Sequence, residues 1–254
     1  MAATPIAATP IAAALITAAQ EMAKRLKKQR FSSPVAVTYH PLDYAWAMHE
    51  AYLHLAGTGR KQVVFLGMNP GPFGMVQTGV PFGEVAAVRD WMRLSAAIDQ
   101  PAKTHPKRPV DGLACRRSEV SGRRFWGLCA RRFGTAPAFF ADHFVANWCP
   151  LAFVSDSGAN LTPDKLPRAE RDTVTAICDE HLRAVVAALK PRWLVGIGKF
   201  AATRAAEACA SLADAPAITD IPHPSPANPA ANRGWDGLTI TALESQGIWP
   251  AARD

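Results

Sequence analysis

Gly67-Met68-Asn69-Pro70-Gly71-Pro72-Phe73-Gly74-Met75 follows directly on the apolar run Val63-Val64-Phe65-Leu66. A β-branched and aromatic run that breaks into glycine and proline reads as a buried strand handing the chain to a stiff loop. The loop continues through Gln77-Thr78-Gly79-Val80-Pro81-Phe82-Gly83-Glu84. A second loop of the same character, His223-Pro224-Ser225-Pro226-Ala227-Asn228-Pro229, follows the short segment Ala217–Ile221 and runs on to Asn232-Arg233-Gly234-Trp235. Long polar loops held on apolar strands are where sites are built.

Working outward, Val35–Tyr39, Phe144–Trp148, Trp193–Ile197 and Ala217–Ile221 read as further strands. Helices are expected over Tyr44–Leu55, Glu84–Ala97, Phe125–Phe133, Arg168–Leu189, Phe200–Leu212 and Trp235–Gln246. The helix over 168–189 must stop before Pro191. Residues Gln100 to Gly122, rich in Pro, Lys and Arg, read as an irregular excursion. Strands alternating with helices predict an α/β sandwich with a mainly parallel sheet. Ligands of such sheets bind outside the carboxyl ends of the strands. Asn69, Asn147 and His223 each stand at or just past the end of an expected strand, so the pattern gathers them on one edge.

With 254 residues, 49% hydrophobic and 19% charged, the chain can bury a full core. No linker divides it. The formal charge of +7 favours a polyanionic partner without identifying one. The five cysteines include no C-x-x-C pair, which argues against a zinc ribbon or a disulfide framework and for a reducing compartment. No apolar stretch is long enough to span a bilayer, and no basic region precedes the apolar N-terminus, so neither membrane nor secretion is expected. His49 and His54 lie five apart and do not form a zinc-binding pair on one helical face, and Gly196-Ile197-Gly198-Lys199 lacks the rest of a phosphate-binding loop. No metal site is expected. Residues 1–30 are expected to form a mobile segment, with the pentapeptide AATPI repeated at 2–6 and 7–11, and then a helix over Ala12–Arg30 with a cationic end that suits the helix dipole. Residues 31–254 are expected to form the one domain.

The two loops, with Asn147-Trp148-Cys149-Pro150-Leu151 between them, resemble in residues, order and spacing the signature segments of the single-strand-selective monofunctional uracil-DNA glycosylases. These are a branch of the uracil-DNA glycosylase superfamily. The resemblance runs from about Val35 to about Pro250 and is most specific from Gly67 to Glu84. It implies a three-layer α/β/α sandwich around a four-stranded parallel sheet. It also implies removal of uracil from single- or double-stranded DNA by a monomer, leaving an abasic site. No cofactor is implied; some branches carry an iron–sulfur cluster, but this chain has no closely spaced cysteine set for one.

The resemblance assigns roles to single residues. Asn69 matches the residue that positions the attacking water; some relatives have aspartate there, which implies slower chemistry here. His223 matches the donor to uracil O2, a task a neutral imidazole can perform. Asn147 matches the reader of the uracil edge, one amide offering a donor and an acceptor to O4 and N3–H. Phe82 matches the ring that stacks on the flipped base, and Met68 lines the same loop. Gly71 stands where thymine-rejecting relatives carry tyrosine, which implies room for C5-substituted uracils such as 5-hydroxymethyluracil. Ser225, Pro226, Ala227, Asn228, Pro229, Asn232 and Arg233 match the loop that contacts DNA and wedges into the duplex. Ala227 replaces an arginine frequent in the family, a gap that Arg233 is placed to compensate. Arg116, Arg117, Arg123, Arg124, Arg131 and Arg132 are candidates for phosphate contacts, as is the basic end of the N-terminal helix.

Neither loop holds a lysine, so a Schiff-base lyase has no obvious nucleophile. Two other readings stand beside excision of uracil: a glycosylase for deaminated purines such as xanthine or hypoxanthine, and a catalytically weak DNA-binding protein. The expected location is the cytoplasm or nucleoid of a bacterium, or the nucleus of a eukaryote.

Overall fold

The structure is a computed structural model that describes residues 9–251. The chain runs through α1 (Pro10–Lys27), β1 (Val37–Tyr39), α2 (Pro41–Tyr44), α3 (Trp46–Ala56), β2 (Val63–Gly67) and α4 (Met75–Thr78). It continues through α5 (Val120–Phe133), α6 (Ala136–Asp142), β3 (His143–Asn147), β4 (Ala152–Val154), β5 (Asn160–Leu161) and α7 (Arg168–Leu189). It closes through β6 (Trp193–Ile197), α8 (Lys199–Cys209), β7 (Ala217–Ile221), α9 (Pro229–Asn232) and α10 (Trp235–Ser245). Four strands form a parallel sheet in the order β3-β2-β6-β7, set in a three-layer α/β/α arrangement. A separate antiparallel sheet, β1-β4-β5, was not anticipated from the sequence, although its first strand was.

The order of the parallel sheet fixes where the site lies. From β2 the chain moves to one side, toward β3; from β6 it moves to the other, toward β7. The crevice of such a sheet opens beyond the carboxyl ends of strands whose connections part in this way. β2 and β3 are buried along their whole length, as their near-continuous apolar sequences require.

Several expected boundaries shift for local reasons. The helix expected over Glu84–Ala97 is only a π-helical turn, Ala87–Trp91. Trp91, the last residue of that turn, packs on Trp126 and Phe139, and its Nε1 donates to Gly134 O at 2.9 Å. Arg93, just beyond, has φ 56° and ends the turn. α5 begins before Phe125 because the Glu119 side chain caps it, accepting from Ser121 N–H at 3.3 Å.

α1 turns Leu15, Ala19, Met22 and Leu26 into the main core and packs on α7 and α3. Lys24, Arg25 and Lys27 fill its last turn, with Arg25 paired to Glu180 and Lys27 to Asp43. Pro10 and Ile11 of the second pentapeptide already belong to this helix; the mobility expected of residues 1–8 lies outside the described residues. No helix among the described residues is long and apolar enough to cross a membrane. All five cysteines are free and buried.

Beneath the sheet edge, Phe65 meets the rings of Phe125, Phe139, His143 and Trp249. Full burial of a side chain such as Phe contributes about 1.5–3 kcal/mol. His143 belongs to this cluster as a neutral imidazole. Its Nδ1 lies 3.0 Å from Phe139 O, and its Nε2 accepts from Trp249 Nε1–H at 3.0 Å. Burial pushes its pKa down to about 4, and the same cause brings buried His49, whose Nδ1 meets Gly79 O, to about 4. The unfolded chain therefore binds these protons near pH 6.5 while the folded chain refuses them until about pH 4. Their neutral packing is fully stabilising above about pH 6.5, and stability falls as pH drops through that window, by up to about 1.4 kcal/mol per pH unit for each group. Urea unfolding at pH 7 and pH 5 is expected to show this loss. His143→Gln, which keeps a donor for Phe139 O and an acceptor for Trp249, should flatten the dependence; an unchanged slope would show that His143 does not titrate there.

Candidate active site

A cleft of about 710 Å³ opens beyond the carboxyl ends of the parallel strands. Its walls are the loops that follow β2, β3 and β7, together with the entry to α5. Of the residues singled out in the sequence, Met68, Asn69, Gly71, Phe82, Asn147, His223, Ser225 and Pro226 all line it.

The ladder between β2 and β3 sets two of these residues. Gly67 stands opposite Asn147 in the parallel register. Beyond the strands the pairing goes on: Trp148 N–H donates to Gly67 O at 2.8 Å and Cys149 N–H to Met68 O at 2.9 Å. The Asn69 Nδ2 group donates to Leu151 O at 3.3 Å and lies 3.4 Å from Leu161 O. Two carbonyls can face only the NH₂ end of the amide, so its Oδ1 is the end left to accept from a ligand or water. Asn147 is buried and its Nδ2 donates to Met75 Sδ at 3.3 Å. A Cβ added to Gly67 would lie 2.4 Å from Asn147 Oδ1 and 2.5 Å from Phe82 Cε2. The amide and the ring therefore converge over a residue that has no room for a side chain. Phe82 has φ 53°, an uncommon backbone state for a non-glycine residue. Its ring stacks on Phe125 at 5.5 Å and stands 6.5 Å from His223.

The second loop is held at several points. Ser225 N–H donates to His223 Nδ1 at 3.1 Å. Burial lowers the His223 pKa, so the ring is neutral at pH 7 and carries its proton on Nε2 as a donor. Asn228 is occupied at both ends of its amide, donating to His223 O at 2.9 Å and accepting from Ala230 N–H at 3.1 Å. Trp235 Nε1–H donates to Pro222 O at 2.7 Å. Asn232 donates to Pro226 O at 2.8 Å. Ala227, Pro229, Asn232 and Arg233 are exposed and stand outside the cleft lining, on the loop and α9.

The six arginines separate into distinct groups. Arg124 on α5 donates to Pro224 O at 2.8 Å and to Asn232 Oδ1 at 2.9 Å, so it ties the second loop down. Arg131 pairs with Asp236, and Arg132 pairs with Glu244 while lying over the Trp249 ring; both fasten α10. Arg116 and Arg123 are exposed, and Arg117 lines the cleft.

Sequence reasoning missed Glu119, which also lines the cleft. Burial raises its pKa, opposed by hydrogen bonds from Ser121 and from the Phe73 backbone. A Cβ on Gly71 would lie 2.6 Å from Glu119 Oε2. The place a side chain at position 71 would take is thus already filled by the Glu119 carboxylate. The sequence carried one signal for this residue, its position as an acidic cap just before α5. Asn160 and Thr162, also in the lining, come from β5 and the segment after it, and carried no such signal.

A parallel α/β/α sandwich whose edge presents two fixed amides, a neutral imidazole and an aromatic ring to one cleft has the build of an enzyme for a flat, hydrogen-bonding ligand. The family model described as the uracil DNA glycosylase superfamily matches residues 56–240. The chain is 47% identical over 229 residues to the single-strand selective monofunctional uracil-DNA glycosylase of Rattus norvegicus, covering 90% of this chain and 82% of that protein. It is 46% identical over 225 residues to the protein of the same description in Bos taurus, covering 89% and 83%. Its fold is similar to the crystal structure of Pedobacter heparinus SMUG2, with a TM-score of 0.63 at 17% identity, over 91% of this chain and 99% of that one. The chain belongs to the uracil DNA glycosylase superfamily.

The tether from Arg124 gives a local expectation. Charged hydrogen bonds contribute about 1.5–3 kcal/mol each, so Arg124→Ala should speed amide hydrogen exchange across residues 224–232 by about tenfold or more. Mass spectrometry of peptides from this loop, with α7 as reference, reads the change. Equal exchange in both proteins would show that the loop holds itself.

Proposed function

We infer that this chain is a monofunctional DNA glycosylase that excises uracil from DNA and leaves an abasic site. The observation that carries the reading is the convergence of Asn69, Asn147 and His223, each with its polar end already oriented, and the Phe82 ring in one cleft. Its relatives' descriptions name the same activity.

The chemistry needs little covalent help. As the N-glycosidic bond lengthens, the sugar becomes cationic and the base gathers negative charge. Asn69 Oδ1 accepts from a water and points it at the sugar carbon; no strong base is required against so electrophilic a centre. His223 Nε2–H donates to uracil O2 as charge builds there, and stabilises the leaving anion without changing its own protonation. Asn147 reads O4 and N3–H. Cytosine reverses that donor–acceptor pattern and would leave buried groups unpaired, at a cost of about 1–3 kcal/mol per group. Phe82 stacks on the flipped base. The cleft lining contains no lysine, which supports hydrolysis without strand cleavage.

Both single strands and duplexes enter as substrate, to a monomer acting on cellular DNA. The exposed tip, Pro226 and Ala227, serves as a short wedge, with Arg233 nearby on the chain. C5-substituted uracils, 5-hydroxymethyluracil among them, are further substrates in this reading: Gly71 lines the cleft without a side chain, and the Glu119 carboxylate stands beside it.

Alkali-labile breaks at uracil in matched single- and double-stranded oligonucleotides test the activity; breaks at xanthine or hypoxanthine instead would move the assignment to deaminated purines. Asn69→Ala is expected to lower single-turnover cleavage by about 10²-fold or more while DNA binding persists, because positioning is lost and affinity is not. Near-normal cleavage would remove Asn69 from the role.

His223→Leu is expected to slow uracil excision more than excision of 5-fluorouracil, whose anion leaves more readily and leans less on a donor. Equal losses on the two bases would place His223 in folding or binding.

A further inference from the structure

The wall of the cleft formed by the first loop carries a group of side chains that the excision chemistry does not use. Phe73, half-buried, lines the cleft in the loop after β2. The Arg117 guanidinium lies over its ring, Cζ 4.1 Å from the centroid, and Arg108 approaches the same ring at 5.5 Å. Arg117 also lines the cleft, is exposed, and makes no ion pair and no side-chain hydrogen bond among the described residues. Arg108 has no acidic partner among them either; its Nη1 donates to the neighbouring Lys107 O, while its Nε is buried without a partner.

This differs from Arg124, Arg131 and Arg132, and exposed Arg116 and Arg123 are not in the cleft lining. Arg124 is committed to the second loop, and Arg131 and Arg132 to α10. A guanidinium laid on an aromatic face keeps its in-plane N–H fork free, and the stacking fixes the fork's direction before a ligand arrives. The positive charge is not cancelled locally. Glu119, the nearest acid in sequence, is turned inward to Ser121 and the Phe73 backbone. Lys107 Nζ donates to a carbonyl, Ser157 O, and so keeps its charge. A preorganised, uncompensated fork at the mouth of a cleft matches a bidentate oxyanion.

We propose that Phe73, Arg117 and Arg108 form a phosphate subsite that holds one phosphodiester directly flanking the flipped nucleotide, with Arg117 as the contacting fork and Phe73 as its seat. The inference rests on the reading that DNA enters this cleft. It adds that the strand is gripped from the first loop as well as from the second. The ligand is the phosphate, so the subsite takes any sequence and either strand form.

Arg117→Gln, Phe73→Leu and, as control, Arg131→Gln are made in the full chain, and thermal unfolding verifies folding. Affinity for a fluorescent single-stranded oligonucleotide carrying an abasic-site analogue is measured from about 50 to 200 mM salt. Loss of one phosphate contact should reduce the log–log slope for Arg117→Gln by about 0.7 on single strands and about 0.9 on duplex. Phe73→Leu should move the slope in the same direction by less, and Arg131→Gln should keep it. Two short oligonucleotides, each lacking the phosphate on one side of the analogue, complete the test. The Arg117→Gln defect should vanish with one of them and persist with the other. An unchanged slope, or a defect that persists with both, overturns the subsite. These binding measurements need no cleavage. A wild-type protein that binds DNA but cuts no uracil therefore defeats the proposed activity alone, whereas a cutting protein with an unchanged Arg117→Gln slope defeats the subsite alone.

Discussion

The backbone ladder between β2 and β3 is the constraint on which the site depends. It does not stop where the strands stop. Gly67 faces Asn147, and the next two rungs, from Trp148 and Cys149 back to Gly67 and Met68, carry the pairing into the loops. Asn69 and Asn147 thus leave one rigid platform. A slip of one residue in a strand turns every side chain to the other face. The apolar runs flanking the ladder forbid such a slip, since both strands are buried throughout. The distance between the two amides is therefore set by core packing, and the loops inherit a geometry they do not have to generate.

Much of this was legible in the sequence, for identifiable reasons. Val63–Leu66 and Trp193–Ile197 announce themselves because short apolar runs ending at Gly have few alternatives. Asn69, Asn147 and His223 follow, since residues at parallel strand ends share one edge. What failed was decided by tertiary contacts. Glu84–Ala97 reads as one helix, yet its helical run ends at Trp91, which packs on Trp126, and Arg93 beyond it takes φ 56°. The short sheet β1-β4-β5 depends on pairing between segments far apart in sequence. Glu119 enters the cleft only because α5 starts beside Gly71, a proximity that no local pattern encodes. A run of arginines likewise reads as one basic patch, until the structure assigns Arg131 and Arg132 to α10 and Arg124 to the second loop.

The electrostatic design follows the same division. The chain carries +7 overall, yet the residues assigned to the chemistry are neutral: two amides, an aromatic ring and an imidazole whose burial discourages its charge. Preoriented dipoles respond to charge that appears in the transition state without rearranging for it. Fixed positive charge is kept at the rim, on exposed Arg116, Arg117 and Arg123. Of the two charged groups in the lining, Arg117 is exposed, whereas burial pushes the Glu119 carboxylate toward its neutral form, while Ser121 and the Phe73 backbone supply partners.

The five buried, free thiols have a consequence of a different kind. Cys115, Cys129, Cys149, Cys178 and Cys209 are distributed from the loop before α5 to the end of α8, and none is exposed in the folded chain. An alkylating reagent can reach each sulfur only while the surrounding structure is open. The rates at which the individual cysteines become modified therefore form a clock for breathing of the molecule, read region by region. In that record Cys149, which sits on the ladder beside the two amides, times the opening of the site's own platform.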